Sequence, residues 1–407
     1  MKKHLLSTSA IALGTVALAA PAAAQEWDVS FGGFMSQHVA YADISGSAVA
    51  GQDLDGVDVH SNTEIIFTPS ITLDNGLTFG VNVQLEGEQN SFGEIDESYM
   101  TISSDTLGQI IIGSENSAGY KSMVGAPGVT SMYINSPSIS TFIPFSAAYP
   151  GGFRQAGLSS FTEVAGNNDV PRLTYFTPSF NGLTLGISYA PNGAANNRDV
   201  GPNSNVANSF GIDKNENLSD IFDIGVNYSQ TFGATSVTLG ARYGVGEAAN
   251  LAVVTAATAG PDGLDGTSDD TAAVYGPNTA GDPETWGVGF QIGFADFTFG
   301  GSYAENDNGA ASGVGDNEGW SLGVTYDIAG PWAIEALTYQ GEQTVAAGRK
   351  ADYEAYRIGA SRDLGPGVDW DIYVVQLDAD NGGTRGAGGT YRDVSGTVIG
   401  TGINLSF

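Results

Sequence analysis

The chain has 407 residues and a formal net charge of −31, and it contains no cysteine. This composition excludes a disulfide framework and thiolate metal sites. The acidic balance argues against binding of nucleic acid, which requires clusters of lysine and arginine. Only 14% of the residues are charged and 58 are glycine, which favours all-β structure in a chain with no long apolar segment beyond its N-terminus.

The N-terminus has the pattern of a secretory signal peptide. Two lysines precede an apolar run from Leu5 to Ala20, and three alanines that end at Ala24 form a small-residue cleavage site. We expect residues 1–24 to be removed and residues 25–407 to form the mature protein. An N-terminal membrane helix is disfavoured because the apolar run is short and ends in proline.

The first segments of the mature chain alternate between apolar and polar residues, as expected of strands with two different faces. The clearest strand follows Asn75–Gly76, a dipeptide typical of tight hairpin turns. From Leu77 to Glu86, Leu, Phe and Val alternate with Thr, Gly, Asn, Gln and Glu. A soluble sandwich would bury the apolar face, whereas a membrane barrel turns it toward lipid and turns the polar face toward a wet lumen.

The same alternation recurs in six further segments, whose second face carries small or polar residues. Trp286 and Trp320 stand at the ends of apolar faces, as in the aromatic girdles of membrane barrels. The last strand ends at Phe407 and is expected to pair with the first strand near Trp27–Tyr41, which would leave no free edge. We therefore predict an all-β fold, a transmembrane antiparallel β-barrel of about 16 strands.

Short turns and long loops alternate strictly along the predicted barrel, as they do between the two ends of outer-membrane barrels. One loop, Glu115–Asp169, lacks the two-residue period but is rich in large apolar side chains such as Met132, Phe142 and Tyr149. A loop of this length in a compact fold is usually functional, and we expect it to fold inside the barrel. The predicted long loops are residues 43–58, 90–94, 115–169, 191–219, 248–283, 306–317, 342–352 and 379–390.

Three segments carry a resemblance to a known family, the general diffusion porins of Gram-negative bacteria, and most of all to the Rhodobacter-type porins of alphaproteobacteria. Arg172–Tyr189 resembles their strand–turn–strand signature and Gly113–Lys121 resembles the start of their third loop. The terminal Phe407 resembles their C-terminal assembly signal. The resemblance implies a trimer of sixteen-stranded barrels in the outer membrane, with residues 115–169 as an inward constriction loop.

The resemblance also implies a function and a set of partners. The function is passive diffusion of small hydrophilic solutes and ions through a water-filled channel. The implied partners are two further copies of the chain in a homotrimer, outer-membrane lipid with lipopolysaccharide, and the insertion machinery during assembly. We expect no enzymatic activity, because His38 and His60 look isolated and no catalytic arrangement of residues is evident.

Charged side chains on the pore wall would decide which ions enter. Strand alternation puts three arginines on the lumen face, and the porin resemblance implies a basic cluster there, opposite acidic groups on the loop. In the other interpretation, each arginine only pairs with a loop carboxylate. The predicted basic residues are Arg172, Arg242, Arg357, Lys121 and Arg154, and the predicted acidic residues are Glu115, Glu163 and Asp169. Further lumen acids at Glu86, Asp223 and Glu335 and the net charge favour weak cation selectivity.

An acidic insert near residues 261–270 could hold a structural calcium ion, because calcium prefers several carboxylate oxygens and glycines permit tight turns. Its carboxylates are Asp262, Asp265, Asp269 and Asp270. A solvated external loop is the simpler interpretation, and no other cofactor is expected. Two alternatives to a diffusion pore remain open at this point, a solute-specific outer-membrane channel and a secreted acidic β-rich adhesin.

Overall fold

The computed structural model describes residues 26–87, 95–134, 137–151, 162–193, 214–215, 217–255, 274–385 and 390–407. The signal peptide expected at residues 1–24 lies outside this range and remains a prediction. Within the described parts of the chain, no helix has the length and apolar character needed to cross a membrane.

Strands make up most of the described structure. They are β1 (Phe31–Ser45), β2 (Gly56–Phe67), β3 (Ser70–Thr72), β4 (Thr78–Glu86), β5 (Ile95–Ser104), β6 (Gly108–Ser114), β7 (Pro171–Phe176), β8 (Leu183–Asn192), β9 (Ser219–Phe232), β10 (Thr235–Glu247), β11 (Leu251–Thr255), β12 (Val274–Pro277), β13 (Glu284–Phe294), β14 (Phe297–Asp307), β15 (Asn317–Asp327), β16 (Trp332–Ala346), β17 (Arg349–Gly365), β18 (Val368–Asp380) and β19 (Asp393–Ser406). The helical elements are α1 (Ala118–Ser122) and the single turns Ser47–Val49, Pro137–Thr141, Phe145–Ala147 and Val164–Gly166.

The main sheet closes on itself. β1 pairs antiparallel with β2 on one side and with β19 on the other, as predicted for the first and last strands. The sheet contains 17 segments, but β2 and β3 both pair with β4 and are separated only by Thr68 and Pro69, so they form one strand. The barrel therefore has sixteen strands, which confirms the predicted fold class. β11 and β12 form a separate hairpin.

The pattern of burial along the strands is the reverse of the pattern in a soluble β-sheet protein. On β1, Val39 and Tyr41 are each 48% exposed, whereas the alternate residues His38 and Ala40 are 0% and 2% exposed. The apolar face of the strand therefore points outward, as in a membrane barrel.

Aromatic side chains stand outward in two bands, at the level where Trp and Tyr favour the membrane–water boundary. Near the ends with long loops, the rings of Trp286 and Tyr303 lie 5.2 Å apart. Near the short turns, those of Trp332 and Trp370 lie 5.6 Å apart. Bands of outward aromatic side chains at both ends of the barrel agree with the predicted pair of girdles.

The prediction of a long loop at residues 342–352 was wrong. Residues 342–352 do not form a long connection, because β16 and β17 stay paired as far as Ala346 and Arg349. Gly348 closes this hairpin with a φ of 71°, a left-handed conformation that glycine adopts without steric cost. The polar residues of this segment belong to strands that extend beyond the aromatic band, so strict alternation of short and long connections fails here.

The described parts of the segment 115–169, residues 115–134, 137–151 and 162–169, fold inside the barrel, as predicted. Their apolar side chains form the largest buried cluster together with inward-facing residues of β1 and β16–β19, including Tyr353, Val375 and Leu377. The inner wall is therefore apolar where the loop rests on it, which the alternation of the other strands did not suggest. The buried loop residues of the cluster are Met132, Ile134, Ile139, Phe142, Ile143, Phe145, Ala148 and Tyr149.

Candidate functional site

The loop enters the lumen through α1. Ser117 caps this short helix by accepting a hydrogen bond from the amide of Tyr120 at 3.1 Å. The helix then packs against β8, β9 and β10. Inward-facing glycines make room for it, because a Cβ atom on Gly240 would lie 2.7 Å from the carbonyl oxygen of Ser122. The small residues on the inner face of these strands therefore leave space for the loop backbone as well as for the channel.

The first contact between loop and wall involves Arg242. Its guanidinium pairs with Asp223 on the neighbouring strand and lies 3.7 Å from the carboxylate of Glu163 near the end of the loop. Glu163 also accepts a hydrogen bond of 2.9 Å from the amide of Ser117. The two ends of the loop are therefore joined to each other and to the wall at one buried charge cluster.

The second contact is a buried ion pair between Arg357 on β17 and Glu335 on β16, with 2.6 Å between Nε and Oε1. Glu335 also accepts hydrogen bonds from the amide of Val129 at 2.5 Å and from the hydroxyl of Thr130 at 2.7 Å. Arg357 donates to the carbonyl oxygen of Met132. The pair therefore holds the middle of the loop through both its charges.

The third contact is centred on Ser131. Its amide and its hydroxyl both donate to Asp371 Oδ2 at 2.8 Å, and its Oγ lies 3.1 Å from His38 Nε2. The other nitrogen of His38 lies 3.2 Å from the hydroxyl of Tyr373 rather than beside a carboxylate. The arrangement therefore differs from a Ser-His-Asp triad, in which the carboxylate orients the histidine.

The expectation that the two histidines are isolated was wrong. His38 and His60 are direct partners across β1 and β2, and their ring centroids lie 6.0 Å apart. His60 also contacts the hydroxyl of Thr141 in the loop at 2.8 Å. The hairpin brings the rings together, which spacing in the sequence alone did not reveal.

The remaining predicted pore residues lie near the start and end of the loop. Lys121 pairs with Glu115 at 2.9 Å and lies 5.7 Å from the ring centroid of Tyr99. Arg172 is buried on the inner face of β7 and donates to the carbonyl oxygen of Asn167 at 2.8 Å. Asp169 is partly exposed near that end. Their roles in the constriction remain predictions.

Two predicted sets lie outside the described residues. They are Arg154 and the four aspartates proposed to bind calcium, Asp262, Asp265, Asp269 and Asp270, so both proposals remain predictions. In the part of the chain that the structure describes, no group of three or more acidic or histidine side chains is arranged to hold a metal ion.

The inner faces of β2, β4 and β5 carry carboxylates that sequence reasoning largely missed. Glu64 and Glu86 are direct partners across β2 and β4, and both are partly exposed. Glu97 on β5 accepts hydrogen bonds of 2.6 Å from Gln84 and from Asn116. The sequence contains one indication of this acidic wall: residues 4–120 include no lysine or arginine. This part of the wall therefore has no lysine or arginine of its own.

Comparisons with known proteins agree with this architecture. A family model described as Gram-negative porin matches residues 7–382. Comparison with curated protein sequences gives no match.

Among solved structures, the anion-selective porin from Comamonas acidovorans is 16% identical with a TM-score of 0.56, and the alignment covers 94% of this chain and 100% of that one. The trimer form of the outer membrane protein OmpT of Vibrio cholerae is 13% identical with a TM-score of 0.53, covering 94% and 99%. A mutant of the Rh. blastica porin is 17% identical with a TM-score of 0.49, covering 93% and 100%.

At these identities the structures of the Comamonas porin and of OmpT establish the fold alone. The family rests on the sequence model, whose match extends over most of the chain and includes β1 to β18 and the inward loop. The chain belongs to the family of Gram-negative porins, the proteins that form channels across the outer membrane.

Proposed function

We propose that this outer-membrane porin lets small hydrophilic solutes and ions diffuse passively, with a weak preference for cations, and that it catalyses no reaction. The observation that carries the preference is the unequal exposure of lumen charges. Arg172, Arg242 and Arg357 are each 5% exposed or less. Asp58, Glu64 and Glu86, on the inner faces of β2 and β4, are at least partly exposed.

Burial and pairing explain why the arginines add little to the field in the channel. Arg242 and Arg357 each lie beside at least one carboxylate. The negative charge of the carboxylate cancels most of the electric field that each arginine would otherwise produce in the lumen. The sequences of β2 and β4, which carry the accessible carboxylates, contain no lysine or arginine. At physiological salt their field extends only about 8 Å, which is why we expect the preference to be weak.

The barrel itself does not determine ion preference. The Comamonas porin of similar fold is described as anion-selective. Selectivity must therefore depend on the side chains that line each channel, and in this chain those side chains are acidic along β2 and β4.

Reversal potentials across a salt gradient in planar bilayers test the proposal. The wild-type protein is expected to prefer potassium over chloride, and the double variant Glu64→Gln/Glu86→Gln is expected to lose most of that preference. A matched control, Asp43→Asn/Asp378→Asn, removes two carboxylates from the outer face and should leave the reversal potential unchanged. Clear anion preference of the wild type would contradict the proposal, and saturable block by one solute would indicate a solute-specific channel.

We also propose that the chain assembles as a homotrimer and that the outer-membrane insertion machinery recognises its C-terminus. The trimer form of the structurally similar OmpT supports the first part. For the second, the backbone of Phe407 bonds with Gly33 in both directions at 3.1 Å, while its ring is 70% exposed on the barrel surface. An exposed terminal ring beside the closing strand pair is accessible to an assembly factor.

A further inference from the structure

The middle of the inward loop carries no charge of its own. Residues 122–153 contain no aspartate, glutamate, lysine, arginine or histidine. Their tyrosines ordinarily lose a proton only near about pH 10. Any response of this part of the loop to a change of pH must therefore arise from the groups that it contacts.

His38 on β1 is the contact whose charge changes most readily. Histidine ordinarily takes up a proton between about pH 5 and 8, closer to neutral than a carboxylate does. The residue is 0% exposed, and a Cβ atom on Gly402 of β19 would lie only 2.3 Å from its Nδ1. The wall and the docked loop together therefore shield the ring from the channel.

The hydrogen bonds around Ser131 assign the proton on this ring. Ser131 Oγ lies 2.8 Å from Asp371 Oδ2 and 2.5 Å from Asn404 Oδ1. Both oxygens are acceptors, because the amide nitrogen of Asn404 donates to the same Asp371 oxygen at 2.6 Å. The single hydroxyl hydrogen of Ser131 goes to one of them, so the hydrogen between Oγ and His38 Nε2 belongs to the ring. Nδ1 then accepts from the Tyr373 hydroxyl at 3.2 Å.

A second proton on the ring disrupts this arrangement. Nδ1 would become a donor, so the Tyr373 hydroxyl would have to turn its own hydrogen away. The ring would also carry a positive charge at a buried site where both of its nitrogens face hydroxyl groups rather than a carboxylate. Burial of a charge without a direct ionic partner is costly. Release of Ser131 removes that cost, because it opens the ring to the water of the lumen.

The charged groups around His38 oppose one another. Asp371 on β18 attracts a positive ring, whereas Arg357 on β17 repels it. His60 on β2, whose ring centroid lies 6.0 Å away, also repels it once that ring has taken up a proton. Glu335 on β16 is paired with Arg357, and the middle of the loop adds no charge. Burial of the ring therefore decides the balance.

We propose that His38 and Ser131 form an acid-sensitive latch, in which protonation of the buried ring releases Ser131 and with it the middle of the loop. The channel is then wider in acidic than in neutral water. The widening rests on the proposed diffusion function. The latch itself concerns the position of the loop, which is measurable without any flow of ions.

Paired spin labels can test the latch on the folded protein, because the chain has no cysteine of its own. Labels on Ser146→Cys, exposed on the loop, and Ala234→Cys, exposed in the short turn between β9 and β10, report the distance between loop and barrel. Dilution with unlabelled chains keeps the measured distance within one copy. Between about pH 7.5 and about pH 4.5, on either side of the ordinary titration of histidine, the fraction of long and broad distances is expected to rise severalfold.

His38→Gln cannot take up a proton and should keep the neutral-pH distances at both pH values. Ser131→Ala opens the latch from the loop side, so its distances should be broad already at about pH 7.5 and change little in acid. His60→Gln is the matched control, because it removes the neighbouring histidine and leaves the contact with Ser131 in place. It should retain most of the acid response.

The heat-induced gel shift would verify that each variant is folded. A wild-type acid response in folded His38→Gln would overturn the proposal, and so would a docked, acid-responsive Ser131→Ala. Loss of the response in His60→Gln alone would also overturn it, because the sensor would then be the other ring. The distances do not depend on which ions pass, so failure of the latch leaves the test of cation preference unaffected.

Discussion

Glu335→Ala is expected to detach the middle of the constriction loop from the wall. The substitution removes the acceptor of four interactions, from Arg357, from the amides of Val129 and Thr130, and from the Thr130 hydroxyl. It also leaves the Arg357 charge buried without its carboxylate. Breaking a buried pair from one side costs about 3–5 kcal/mol, and we expect most of that cost to fall on loop docking.

Docking of the loop is sensitive to the loss of this contact, because its free energy is a small difference between the gain from burying apolar side chains and the cost of ordering the backbone. Each fully buried side chain such as Ile139 or Ile143 contributes about 1.5–3 kcal/mol. Ordering the backbone costs about 1–2 kcal/mol for every residue of the loop. Removal of one charged contact can therefore shift the loop from the docked to the undocked state.

Limited proteolysis within residues 115–169 and current noise of single channels would measure the release. The double variant Glu335→Leu/Arg357→Met is the informative control, since replacing both charges with apolar groups leaves no unpaired ion. We expect it to be less sensitive to protease than Glu335→Ala. Equal sensitivity of the two variants would mean that the ion pair does not hold the loop.

The barrel could be predicted from the sequence because its determinants are local. Alternation along β4 assigned each residue to a face, Asn75–Gly76 indicated a hairpin, and both assignments follow from backbone geometry within a few residues. The same rule put Arg242 and Arg357 on the inner face. The prediction of a long loop at residues 342–352 was wrong. The outward residues of these strands, such as Glu342, are polar because the strands extend beyond the lipid, and this polarity hides their alternation.

The partners of the inner charges could not be predicted, because strand register depends on the whole ladder rather than on local pattern. Asp223 and Glu335 were expected in the lumen, but nothing in the sequence paired Asp223 with Arg242 or Glu335 with Arg357. The contact of Ser131 with His38 and Asp371 joins three distant segments through an aperiodic loop. Such contacts depend on how the loop packs, for which the sequence has no repeating signal.

Replacing residues 118–167 with a short Gly/Ser linker is expected to raise single-channel conductance severalfold while the barrel remains folded. The described parts of the loop lie against the inner wall from β8 around to β2, so their removal clears space along most of that wall. Backbone pairing between the sixteen strands does not involve the loop.

The charges on the wall should tolerate the deletion. Asp223 pairs with Arg242, and Glu335 with Arg357, across neighbouring strands of the wall itself. Both pairs therefore persist without the loop and become hydrated. The apolar patch around Tyr353 and Leu377 would become exposed to water, so we expect a lower melting temperature in detergent alongside the wider pore.

Bilayer recordings and liposome swelling with sugars of increasing size would measure both effects of the deletion. The deleted variant should admit larger sugars than wild type, and a retained heat-induced gel shift would show that its barrel is intact. A folded variant with unchanged conductance would refute the assignment of this segment as the constriction. Such a result would mean that the barrel wall itself, and not this segment, forms the narrowest part of the channel.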